Sequence, residues 1–116
     1  MSGTLTLLEV TSRKTPRGIV VEVVGELDLT TAPLLQGWLT EGIRATIVEA
    51  ETAPLSVDLR RVDFIDSAGL ALLVAVQKRL APAQRRLQVL LTPGQQPERV
   101  LKLGRFDTVM ALSYDG

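Results

Sequence analysis

Asp66-Ser67-Ala68-Gly69-Leu70 sets a carboxylate and a hydroxyl in front of a long apolar stretch, which runs on to Val76 before Gln77-Lys78-Arg79 restores polarity. A serine in front of such a run predicts a helix beginning at Ser67, with its hydroxyl capping the free N–H groups of the first turn. The same place is the positive end of the helix dipole, where a phosphate is electrostatically welcome. Ser67 can therefore be a cap or a phosphate acceptor. Asp28 and Asp66, each expected at a strand end, are the second constellation: a carboxylate pair suits acid–base work or metal binding, and equally the capping of two turns. Nothing nearby supplies the third and fourth ligands of a magnesium or calcium site, so no metal and no cofactor is expected.

The chain has neither histidine nor cysteine. That removes the commonest general base, the Ser-His-Asp arrangement, the commonest zinc ligand, thiolate nucleophiles and disulfides. Catalysis would be left to carboxylates, lysines or Tyr114, and a nucleophilic Ser67 would lack its base, so the chain does not read as an enzyme. A formal net charge of zero and 3% aromatic residues leave neither a basic groove nor stacking rings for nucleic acid. Gly25 and Gly69 mark a turn or a close backbone approach, but no dinucleotide or Walker phosphate loop occurs. No apolar run approaches membrane-spanning length and no cleavable leader opens the chain, so the expectation is a cytoplasmic protein without membrane insertion.

These residues need a scaffold, and 116 residues with 46% hydrophobic content suffice for a single domain, 1–116, around one core. Leu5 to Val10 and Ile19 to Val24 read as two strands of a hairpin, joined by a polar turn from Thr11 to Gly18. Gly25-Glu26-Leu27-Asp28 ends the second strand. Thr30 or Thr31, with Pro33 close by, starts a helix on which Leu34, Leu35, Trp38, Leu39 and Ile43 recur at helical spacing, with Trp38 in the core. The helix frays between Ala45 and Glu51, and Thr52-Ala53-Pro54 leads into a strand from Leu55 to Leu59. A charged turn (Arg60, Arg61, Asp63) then precedes the Ser67 helix, which ends near Pro82. Leu87 to Leu91 is a further strand, and Pro97 to Leu103 a short helix with Val100, Leu101 and Leu103 inward, stopped at Gly104. Val109 to Leu112 is the last strand and Ser113 to Gly116 a polar tail. The pattern predicts an α/β fold: a mixed central sheet of four to five strands, an opening hairpin followed by βα units, covered by three to four helices.

Gly25-Glu26-Leu27-Asp28, Leu55 to Asp58 and above all Phe64-Ile65-Asp66-Ser67-Ala68-Gly69-Leu70, in that order, resemble the STAS domain, specifically the bacterial anti-sigma factor antagonists. The resemblance spans nearly the whole chain. It implies a regulatory protein whose unmodified form binds an anti-sigma factor with serine kinase activity and so releases a sigma factor. The serine matching Ser67 is the one phosphorylated, and a metal-dependent serine/threonine phosphatase reverses the modification. Asp28 matches an acidic position near that serine, and the partner-binding set carried over is Asp28, Asp66, Ser67, Gly69, Leu70, Ala71 and Val74. Many relatives have a second hydroxyl after the serine; this chain has Ala68, which leaves Ser67 as the only acceptor in the motif. STAS domains also serve as subunits of a bacterial lipid-transport ABC complex that bind its ATPase, and Asp66 to Leu73 suits that setting too. The strand end Gly25 to Asp28 favours the antagonist.

Overall fold

The computed structural model describes residues 8–48 and 54–114. Their five strands form one mixed sheet in the order β1-β2-β3-β4-β5: β1 (Leu8–Thr15), β2 (Gly18–Leu27), β3 (Leu55–Ile65), β4 (Leu87–Leu90) and β5 (Ala111–Ser113). Only β1 and β2 are antiparallel; every later pairing is parallel. Three helices, α1 (Ala32–Val48), α2 (Ser67–Leu80) and α3 (Gln96–Leu103), supply the crossovers. This is the expected mixed α/β architecture, at five strands and three helices. Leu5 to Leu7, Thr52-Ala53 and the end of the tail lie outside the described residues.

Alternation sorts the sheet into two faces. Val21, Val23, Leu55, Val57, Leu59 and Val89 are buried together with Leu35, Leu39 and Ile43 of α1 and Leu73, Val76 and Leu80 of α2. α1 packs on β2 and β1, α2 on β4 and β3, and the two helices touch one another. The alternate positions are mixed, with Val20, Val24 and Leu90 beside Glu22, Ser56, Asp58 and Gln88. Ser56 donates from its hydroxyl to Gln88 Oε1 on the next strand (3.1 Å), and the buried Asp58 carboxylate takes the Arg60 guanidinium at 2.9 and 2.7 Å. Burial alone pushes the Asp58 carboxyl up, but hydrogen bonds from the Arg60 side chain and amide, with the charges of Arg60 and Arg13, hold it below its ordinary value.

Two expected turns prove to be strand. β1 runs through Thr11 to Thr15, because β2 offers it a continuous antiparallel ladder from Leu8↔Gly25 to Thr15↔Gly18. β3 likewise continues through Arg60, Arg61 and Asp63 to Ile65 beside β2, with irregularities between Glu22 and Val24 and between Gly25 and Glu26 absorbing the mismatch. Gly25, at φ 123°, is the residue that permits this, so it bends the strand and does not end it.

The helices also depart from the expected pattern. Trp38 is 40% exposed and Leu34 50%, so the core face of α1 is Leu35, Leu39 and Ile43, and the other two lie on a flank. Leu103 is 85% exposed; Leu101 and Pro97 carry the packing of α3. Gly104 does cap α3, though at φ −83° and not in the left-handed region, which Arg105 occupies instead. A Cβ at Gly104 would sit 2.3 Å from the Phe106 ring.

Candidate functional site

The C-terminal ends of the parallel strands β2 and β3 lie side by side, pairing Leu27 with Ile65. Each strand then runs into a helix through an aspartate. After β2, Asp28 folds a turn: its Oδ1 accepts the amides of Thr30 and Thr31, both at 3.0 Å, while Thr31 Oγ1 accepts the Asp28 amide (2.9 Å) and donates to Glu26 O (2.8 Å). After β3, the Asp66 amide donates to Leu27 O (3.1 Å), which fixes the start of α2 against the end of β2.

α2 begins at Ser67 as expected, but Ser67 does not cap it. Asp66 does: it has extended backbone, and its Oδ1 accepts the amides of Ala68 (2.9 Å) and Gly69 (3.1 Å). Its other oxygen, Oδ2, accepts the Leu29 amide (3.2 Å). One carboxylate thus terminates α2 and ties the Asp28 turn to it. The two aspartates that the sequence set 38 positions apart meet through Leu29, and both are engaged by backbone amides.

With the cap supplied by its neighbour, the Ser67 side chain is exposed and unused in the fold. Ala71 is exposed on the same helical face, and Leu70 and Val74 are half-buried at the matching spacing. Gly69 is buried and belongs to the packing, not to the contact surface: a Cβ there would meet Ile65 Cγ1 at 2.7 Å, Leu27 Cγ at 2.8 Å and Leu27 O at 3.0 Å. The sequence reading missed Leu29, 75% exposed, whose amide Asp66 holds, and Phe64, 42% exposed, near the end of β3. For Leu29 the available signal was an apolar residue inside a polar turn. It also missed Gln96, whose amide holds the β3 end in place by accepting Ile65 N–H (2.8 Å) and donating to Ile65 O (2.9 Å).

The electrostatics follow from this geometry. A phosphate on Ser67 would add roughly two negative charges, and the amides of the first turn that would receive it already serve Asp66. The added charge would stand at the surface beside an existing carboxylate. Among the described residues no group of His, Cys, Asp and Glu is placed to hold a metal ion. No described helix is long and apolar enough to cross a membrane.

Residues 10–112 match the family model described as Mlab, STAS domain. The chain belongs to the STAS domain family. Among solved structures, this STAS domain is similar to an anti-sigma factor antagonist from Mycobacterium paratuberculosis at 27% identity and a TM-score of 0.73, covering 94% of this chain and 86% of that one. The Bacillus cell fate determinant SpoIIAA in its phosphorylated form shares the fold, with TM-score 0.63, 20% identity and coverage of 93% and 92%. So does the unphosphorylated antagonist SpoIIAA, with TM-score 0.64, 18% identity and coverage of 93% and 90%. No curated protein matches this sequence.

Proposed function

We propose that this STAS domain is an anti-sigma factor antagonist: a binding protein, not an enzyme, that engages an anti-sigma factor through the surface around Ser67 and is turned off by phosphorylation there. The observation that carries the reading is an exposed serine freed from capping by Asp66, at the junction where the turn bearing the exposed Leu29 is tied to the start of α2. Apolar side chains around a polar centre suit a protein interface, where burial supplies affinity and a charged intruder is heavily penalised. The 27%-identical mycobacterial protein, itself an anti-sigma factor antagonist, supports the assignment of role.

The unmodified form binds an anti-sigma factor with serine kinase activity and displaces the sigma factor. Asp28, Asp66, Ser67, Leu70, Ala71 and Val74, joined by Leu29, form the contact surface. Phosphorylation by that partner places like charge beside Asp66 in a patch that binding must desolvate, at a cost of several kcal/mol. A serine/threonine phosphatase restores the binding form, and the cytoplasm is where such partners meet. The test is incubation of wild type and Ser67→Ala with the cognate kinase and ATP, followed by mass mapping of the phosphate. Wild type should carry one phosphate, on Ser67, and the variant none; a phosphate elsewhere, or labelling of Ser67→Ala, contradicts the assignment.

A second reading rests on the description of the matched family model, which names Mlab and not an antagonist. It keeps the fold and the Ser67 surface and makes the partner the ATPase of a lipid-transport ABC complex. Co-purification with an ABC ATPase, and no phosphate on Ser67 from any serine kinase encoded nearby, would favour it.

A further inference from the structure

We infer that two copies of this chain pair edge to edge through β1, forming a two-fold dimer with one continuous sheet. Among the described residues β1 is flanked on one side only, by β2, along all eight of its residues, so half of its amides and carbonyls face outward. An open edge of that length is a template for another strand. Its side chains select which strand.

A two-fold axis normal to the sheet keeps both copies the same face up, so opposed residues must share a face and the axis must pass through a single residue of β1. Glu9, Thr11 and Arg13 alternate on the face away from the helices, while Leu8, on the other face, is buried in the core. With Thr11 on the axis, Glu9 of each copy lies opposite Arg13 of the other, and two ion pairs close around a Thr11–Thr11 contact. Moving the axis to Val10 sets Glu9 against Thr11; moving it to Ser12 sets Arg13 against Thr11. Only the Thr11 register pairs the opposite charges. Arg13 already leans toward Glu22 Oε1 at 3.2 Å, and Glu22 is the β2 neighbour of Thr11, so the charges lie on the correct face at the correct level.

The exposed flank of α1 supplies a second, independent observation. Arg79 of α2 reaches Thr40 (3.4 Å), so Thr40 marks the side of α1 that faces α2. At about 100° per residue, Leu34, Trp38 and Ala45 project on the opposite side. α1 packs over β2 with β1 and β3 on either side, so the flank away from α2 faces the open edge. Leu34 is 50% exposed and Trp38 40%. In the edge-paired dimer each flank meets its counterpart over the joined strands, giving the ladder an apolar layer that a lone edge pairing would lack. The Ser67 surfaces, at the C-terminal ends of the parallel strands, then point to opposite ends of the dimer and stay open.

Sedimentation of the purified chain from micromolar to millimolar concentration, read beside the emission of Trp38, the only tryptophan, tests this. The mass should double with concentration while Trp38 emission shifts to the blue. Glu9→Arg alone should weaken association about tenfold, because like charges then meet twice across the axis. Glu9→Arg with Arg13→Glu should restore it, since the pairs re-form with signs exchanged and Arg at 9 is as near Glu22 as Arg at 13 was. Circular dichroism melts establish that each variant folds. A monomer throughout, or a dimer whose affinity ignores Glu9→Arg or is not restored by the double exchange, overturns the proposal.

Discussion

Asp66 holds three backbone amides at once, two in the first turn of α2 and one in the loop after β2, so removing it loosens both loops of the site. Asp66→Ala should cost about 2 kcal/mol, the upper end for a cap, in urea unfolding. Ser67→Ala, with no cap to lose, should stay within about 0.5 kcal/mol of wild type. If the two costs were reversed, the capping assignment would be wrong. The sequence located the helix start to the residue but not its cap. Asp and Ser are nearly equal as N-caps, and what separates them is the Leu29 contact, made across 37 residues. Both aspartates prove to be turn caps, and the capping leaves Ser67 free at the surface.

At the scale of elements, α2 approaches β2 and β3 closely only because residue 69 lacks a side chain. Gly69→Ala must push Leu27 and Ile65 aside against a backbone carbonyl, and should destabilise by about 1–3 kcal/mol in denaturant titration, more than Ser67→Ala two residues earlier. The sheet carries its own pH signature. Asp58 titrates near 3.8 when unconstrained and lower in the fold. Its contribution is therefore complete above that ordinary value and is lost as pH falls through the depressed one. Asp58→Asn should cost about 1–3 kcal/mol at neutral pH, with the Asp58–Arg60 ion pair lost, and the gap to wild type should shrink below about pH 4. A gap constant down to pH 2 would mean that the Asp58–Arg60 pair stabilises nothing. The apolar halves of β2, β3 and β4 were legible because burial on one face leaves alternation behind. The polar reaches of β1 and β3 were not, since Thr11 to Lys14 and Arg60 to Asp63 are held in strand by ladders to β2, and pairing leaves no mark on hydropathy. Trp38 and Leu34 misled for the opposite reason: their helical spacing is genuine, but it belongs to a flank.

For the whole molecule, the order of three motifs along the chain was enough to reach the family and its layered fold, because two of them sit where a strand runs into a helix and the third is the central strand between. In the proposed function Ser67 switches a surface and leaves the fold alone. Ser67→Asp adds a charge at the first helical position, where the dipole favours it, so the melting temperature should hold within a few degrees. Binding should not hold. The most direct measurement is a calorimetric titration of the anti-sigma factor kinase with three forms of this chain: unmodified, phosphorylated on Ser67, and Ser67→Asp. The unmodified form should bind, the Asp form should be weaker by about 1–3 kcal/mol, and the phosphorylated form weaker still, in step with its greater charge. Equal affinity for the unmodified and phosphorylated forms, with both still folded, would contradict the switch outright.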